Sequence, residues 1–170
     1  TKQKRHKPKI VYKKIHNFII YSKYMINFKH LTHTEIPTVV QLMVDFYAID
    51  GYPIDQEKSV QLFEEFISKP HLGTCFTINY NNEIAGYILL IQFFSFEMGG
   101  YVMLLDELYV SDRFQGKGIG KSAIQFVKNH AIKNDYKKIV LEVEPHNNRA
   151  IHIYEKENFK KHKRDLMLYP

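Results

Sequence analysis

The chain has 170 residues, 45% of them hydrophobic and 25% charged, the balance of one ordinary globular domain with ample material for a core. No apolar run approaches the ~18–20 residues of a membrane-spanning helix, and a single cysteine, Cys75, excludes an internal disulfide framework and suits a reducing cytoplasm. The net charge of +6 is confined to the start: residues 1–24 hold eight basic residues and no acid, leaving 16 basic against 18 acidic residues, a net −2, in the rest. Residues 1–24 therefore read as a basic N-terminal extension or leader, and 25–170 as a single domain. A basic arm can attract nucleic acid or anionic membrane; a solvated leader is the simpler reading, and neither partner is expected.

From Met25 the elements follow in order. A first strand runs from Met25 towards Leu31. Thr32-x-x-Glu35 has the form of a capping box, and Pro37 suits a first helical turn. Val39, Val40, Met43, Phe46 and Tyr47 then share a helical face until "DGYP" breaks it. Asp55 caps a second helix carrying Val60, Phe63, Phe66 and Ile67. "TCFTINY", the turn Asn81-Asn82 and "IAGYILLIQFF" form a hairpin, with Cys75 as a buried small hydrophobe. "EMGG" turns into the strand "YVMLLDELYV". Ile119, Ala123, Ile124, Val127 and Ala131 keep helical spacing up to Asn134-Asp135. "KKIVLEV" is a strand, Ala150 to Tyr154 a short helix with its exit at Phe159, and "DLMLY" a closing strand.

The stretch "DRFQGKGIGKS" looks like a nucleotide loop and is not one. A P-loop needs four residues between its glycines, and Gln115 stands where the first glycine would be required. Gly116, Gly118 and Gly120 also miss the dinucleotide spacing. The loop nevertheless joins a strand ending at Val110 to a helix starting near Gly118. Free N–H groups, the helix dipole, and Lys117 and Lys121 make it a pyrophosphate site on another plan. The histidines offer no metal set, since His30-x-x-His33 has no third ligand in view, and no metal is expected.

Gln115-x-x-Gly118-x-Gly120, within "LYVSDRFQGKGIGKSAIQFV", resembles the coenzyme A segment of the GCN5-related N-acetyltransferases. "NNRAIHIYEKENF" is similar to their second signature, with Asn158 where glycine is usual. The resemblance covers Met25 to about Leu168. It implies an α/β (α+β) fold, with a mixed, twisted sheet of about six or seven strands flanked by about four helices.

The same resemblance implies the site. The backbone of Leu108, Tyr109 and Val110 would pair with the pantetheine arm of acetyl-CoA, the Val110 N–H serving the thioester oxygen. Gln115, Gly116, Lys117, Gly118, Ile119, Gly120 and Lys121 would hold the pyrophosphate, and Asn147 would touch the coenzyme. Tyr154 would be the general acid for the departing thiolate. The position most often given to the base is Leu104, which cannot act, so Asp106 is the candidate, with Glu107 adding negative potential to bind a cationic acceptor. On an unbroken strand Glu107 would point to the opposite face. "GYILLIQFFSFEMGGYVMLLDELYVSDRFQGKGIG" is similar to the polyamine (spermidine/spermine) N-acetyltransferases, which implies a small cationic amine as acceptor. Competing readings are a protein or peptide N-acetyltransferase and a non-catalytic coenzyme A-binding module. Tyr154 and the acid at Asp106 speak against the latter, and a homodimer is left open.

Overall fold

The structure is a computed structural model that describes residues 26–169; the basic extension, residues 1–24, lies outside the described residues. Five strands form one mixed sheet in the order β1-β2-β3-β4-β5: β1 Ile26–His30, β2 Gly73–Tyr80, β3 Glu83–Ser95, β4 Gly100–Val110 and β5 Lys138–Leu141. The first four are antiparallel, and β5 runs parallel to β4. The turn Asn81-Asn82 has φ of 51° and 67°, the left-handed pair that a two-residue hairpin turn requires and asparagine tolerates.

Helices α1 (Ile36–Asp50) and α2 (Gln56–Ser68) cover one face. Pro37 lies in the first turn of α1, and Gly51, at φ 71°, ends it. Asp55 caps α2, its side chain accepting the Lys58 N–H at 3.0 Å. Ile36, Val39, Val40, Met43 and Phe63 meet Cys75, Tyr87 and Tyr109 in the core beneath them. Helix α3 (Ile119–Lys133) and the shorter α4 (Asn148–Lys156) lie on the other face. All five apolar positions of α3 predicted from periodicity are buried against Ile78, Ile88, Met103 and Leu105. Helix α4 buries no residue fully. It ends through Asn158 at φ 69°, the left-handed exit expected of that asparagine, and Glu157 is held by Lys128 of α3 at 3.1 Å.

Two strand expectations change. "KKIVLEV" pairs only over Lys138–Leu141, because β5 departs from β4 at Glu142. "DLMLY" forms no strand, and Leu166, Met167, Leu168 and Tyr169 are exposed. An apolar run becomes a strand only where an edge takes its backbone bonds, and no described strand pairs with this one. The described residues thus hold five strands, where six or seven were expected.

Candidate active site

The site is built where β4 and β5 part. Their parallel ladder ends at Leu105 opposite Leu141, yet β4 continues to Val110. On its other side β4 stays paired with β3 to the end: Gly86 lies opposite Val110, and the Ser111 N–H donates to the Ala85 carbonyl at 2.9 Å. A Cβ on Gly86 would sit 2.0 Å from the Tyr109 carbonyl oxygen, so only glycine permits this approach. The Ser111 bond makes Gly86–Val110 a non-hydrogen-bonded pair of the antiparallel ladder. The N–H and C=O of Val110 therefore point away from β3, into the fork, and by alternation so do those of Leu108. The Val110 carbonyl accepts from Gln115 Nε2 at 3.2 Å on that side. Tyr109 differs from its two neighbours. Its backbone faces β3, and its ring is buried in the core beneath α1, 5.5 Å from that of Phe46.

The glycine loop closes the fork. Gly116 and Gly118 have φ of 76° and 77°, and beyond the adjoining residues no described atom lies within 4 Å of where either Cβ would stand. The N–H groups of residues 116–121, Gly116 through Lys121 and including Ile119, donate to no acceptor among the described residues. Six unbonded donors at a helix start, with open space over the glycines, suit a pyrophosphate. At Gly120 a Cβ would stand 3.8 Å from Ile153 Cδ1, an ordinary contact where α3 meets α4. The Lys117 ammonium lies 5.0 Å from the ring centres of both Tyr80 and Phe114, while Lys121 is exposed. Gln115 also donates to Asp112 Oδ1 at 2.6 Å and accepts from Arg149. Arg149 belongs to the second signature but was not singled out from sequence. Asn147 caps α4, its Oδ1 accepting the Ala150 N–H at 3.0 Å. Tyr154 packs on Phe159 and on the cluster that includes Leu108 and Val110. Burial pushes the Tyr154 hydroxyl above the usual tyrosine range, which keeps it a proton donor.

A bulge settles the two acids. Leu89 pairs with Glu107 and Leu90 with Leu105, so Asp106 is the extra residue. The bulge resets the alternation: Met103 and Leu105 before it, and Leu108 and Val110 after it, face α3, while Asp106 and Glu107 both turn towards α1 and α2. They line a cavity of about 510 Å³ between these helices and the sheet. Glu107 is buried, and each of its oxygens accepts a tyrosine hydroxyl, Tyr47 at 2.7 Å and Tyr87 at 2.6 Å. Burial raises the Glu107 pKa, and the two hydroxyls oppose that rise. Asp106 keeps solvent access and accepts no hydrogen bond from any described residue. The surrounding protein and then the charge of Glu142 push its pKa above the usual carboxylate range. Glu142 directly follows the last paired residue of β5, so the two carboxylates flank the start of the fork. Sequence reading missed Glu142, Tyr47 and Tyr87, because only the bulge and the strand register bring them to the acids. It also missed the bridge from the end of α1 to the β5–α4 loop, made by Tyr52 to Glu144 at 2.6 Å and His146 to Asp50 at 2.7 Å. Among the described residues no group of three His, Cys, Asp or Glu is placed to hold a metal ion.

The family model described as Acetyltransferase (GNAT) family matches residues 38–159. The chain belongs to this family. Its reaction is acetyl transfer from acetyl-CoA, and both signatures lie inside the matched region. Among solved structures it resembles an integron cassette protein from the mobile metagenome of Cole Harbour Salt Marsh, at 26% identity and a TM-score of 0.75, over 84% of this chain and 89% of that one. A possible acetyltransferase from Clostridium difficile 630 superposes with a TM-score of 0.77 at 17% identity, covering 86% and 97% of the two chains. A predicted acetyltransferase from Clostridium acetobutylicum, determined with acetyl-CoA, gives 0.71 at 16% identity, covering 85% and 96%.

Proposed function

We propose that this acetyltransferase transfers acetyl from acetyl-CoA to the primary amine of a small cationic molecule by direct attack. The observation that carries the reading is the bulge at Asp106, which sets a carboxylate without protein hydrogen bonds beside the fork and open to the cavity. Acetyl-CoA supplies the activated acyl group as a thioester. The N–H groups of residues 116–121 would bind its pyrophosphate, with Gln115 and Asn147 nearby, and the fork-facing backbone of Leu108 and Val110 would align the pantetheine arm. Tyr109 would contribute by anchoring that strand end rather than by its own backbone.

The acceptor enters as an ammonium ion, and its nitrogen must lose a proton before it can attack. Asp106 accepts that proton, directly or through water, and Glu107 adds negative potential from behind its two tyrosines. The Val110 N–H donates to the carbonyl oxygen as negative charge develops there. The Tyr154 hydroxyl gives its proton to the sulfur as the C–S bond breaks, and the second proton released by the attacking nitrogen passes through water to restore the phenol. The test follows free thiol released from acetyl-CoA in the presence of small amines. Tyr154→Phe removes one hydroxyl and little packing. It should retain acetyl-CoA affinity and lower kcat by roughly 10²-fold; unchanged turnover would return Tyr154 to a packing role.

A further inference from the structure

Taking acetyl transfer to a small amine as given, we infer that the acceptor is a primary monoamine with an apolar alkyl or aryl body, seated in the cavity between α1, α2 and the β3–β4 sheet with its ammonium at Asp106. Most of the cavity wall is hydrocarbon, from Met43 on α1, Ile54 in the turn, Phe63 and Phe66 on α2, and Leu89 and Ile91 on β3. A volume of about 510 Å³ is that of a small-molecule site.

The carboxylates in this wall already accept hydrogen bonds, with one exception. Glu107 has both oxygens taken by Tyr47 and Tyr87. Asp55 holds the start of α2 through the Lys58 N–H, and Glu65 is paired with Lys69 at 2.5 Å. The side chain of Lys58 lines the same wall and would repel a second cation. Among the described residues, Asp106 alone of the lining carboxylates accepts no hydrogen bond. One ammonium thus finds a counterion here. A second, one chain length away, would lose its water against apolar side chains where each other carboxylate already accepts a hydrogen bond, a costly burial. A polyamine meets that cost at every further nitrogen, whereas each methylene of a monoamine gains from contact with the wall.

The experiment compares n-hexylamine, ethylamine and 1,6-diaminohexane with the full-length protein, measuring kcat/KM with saturating acetyl-CoA. Calorimetric binding of each amine in the presence of coenzyme A is the second readout. Hexylamine should exceed ethylamine by roughly 4-fold for each methylene that is buried. It should exceed the diamine by at least about 10-fold. Leu62→Glu, at a solvent-accessible position of α2 that lines the cavity, should narrow the gap to the diamine by supplying the missing carboxylate. A diamine used as well as hexylamine, or bound as tightly, overturns the inference and leaves amine acetylation standing. If acetyl-CoA binds and no small amine is acetylated, the small-amine reading fails and the inference falls with it.

Discussion

Asp106 occupies the extra position of the β4 bulge, where the protein and Glu142 both disfavour its charge. An acid whose folded pKa is raised stabilises the fold only at low pH. That contribution is lost as pH rises through the folded value, so at neutral pH the charged form is a liability. Asp106→Asn should therefore raise Tm at pH 7, and the gain should vanish below about pH 3, where the unfolded carboxylate is neutral as well. An equal gain at both pH values would assign the effect to something other than charge. The opposite holds for Glu107, whose removal would strand the Tyr47 and Tyr87 hydroxyls, at about 1–3 kcal/mol for each one left unpaired. Both acids could be named from the sequence. Their common face could not, because an alternation argument puts neighbours on opposite faces, and the bulge that overrules it has no glycine or proline to announce it.

At the scale of elements, the strand–loop–helix from β4 to α3 is the proposed seat of the coenzyme. Gly116 and Gly118 both need left-handed backbone, which costs another residue roughly 1–2 kcal/mol, and both leave open space above the loop. Gly118→Val should keep the fold while weakening acetyl-CoA binding at least 10-fold in calorimetry, since it adds strain and a branched side chain at the start of the free N–H row. Unchanged affinity would remove the loop from the coenzyme site. This element was legible in advance because glycine spacing, the helix period and the preceding strand agree on it. The α3 core positions were legible for the same reason. "DLMLY" was misread because its composition suits a strand while nothing in the described sheet pairs with it. "KKIVLEV" was overextended because the parting of two strands depends on their partners and leaves no trace in apolar content.

For the whole molecule, two helices on one face of the sheet wall the cavity proposed for the acceptor, and two on the other carry the two signature segments proposed to hold the coenzyme. Every described element and both signatures lie at or beyond Ile26, while the basic excess lies in residues 1–24. A chain beginning at Met25 should therefore fold and keep its acetyl transfer. Loss of activity in the shortened chain would make residues 1–24 part of the working molecule. In the proposed reaction the acceptor end joins the two faces, because Asp106 looks into the cavity while Leu108 and Val110 present their backbone to the fork. That junction is tested most directly by the pH dependence of kcat/KM for wild type and Asp106→Asn on one cationic amine, with acetyl-CoA affinity measured in parallel. The prediction is unchanged acetyl-CoA affinity and a loss of turnover in the variant. The loss should be largest between the raised pKa of Asp106 and the pKa of the amine, where the acceptor is protonated and the carboxylate is free to take its proton, and it should fade at higher pH as the amine deprotonates unaided. A variant that matches wild type across that window would contradict the assignment of Asp106 as the base.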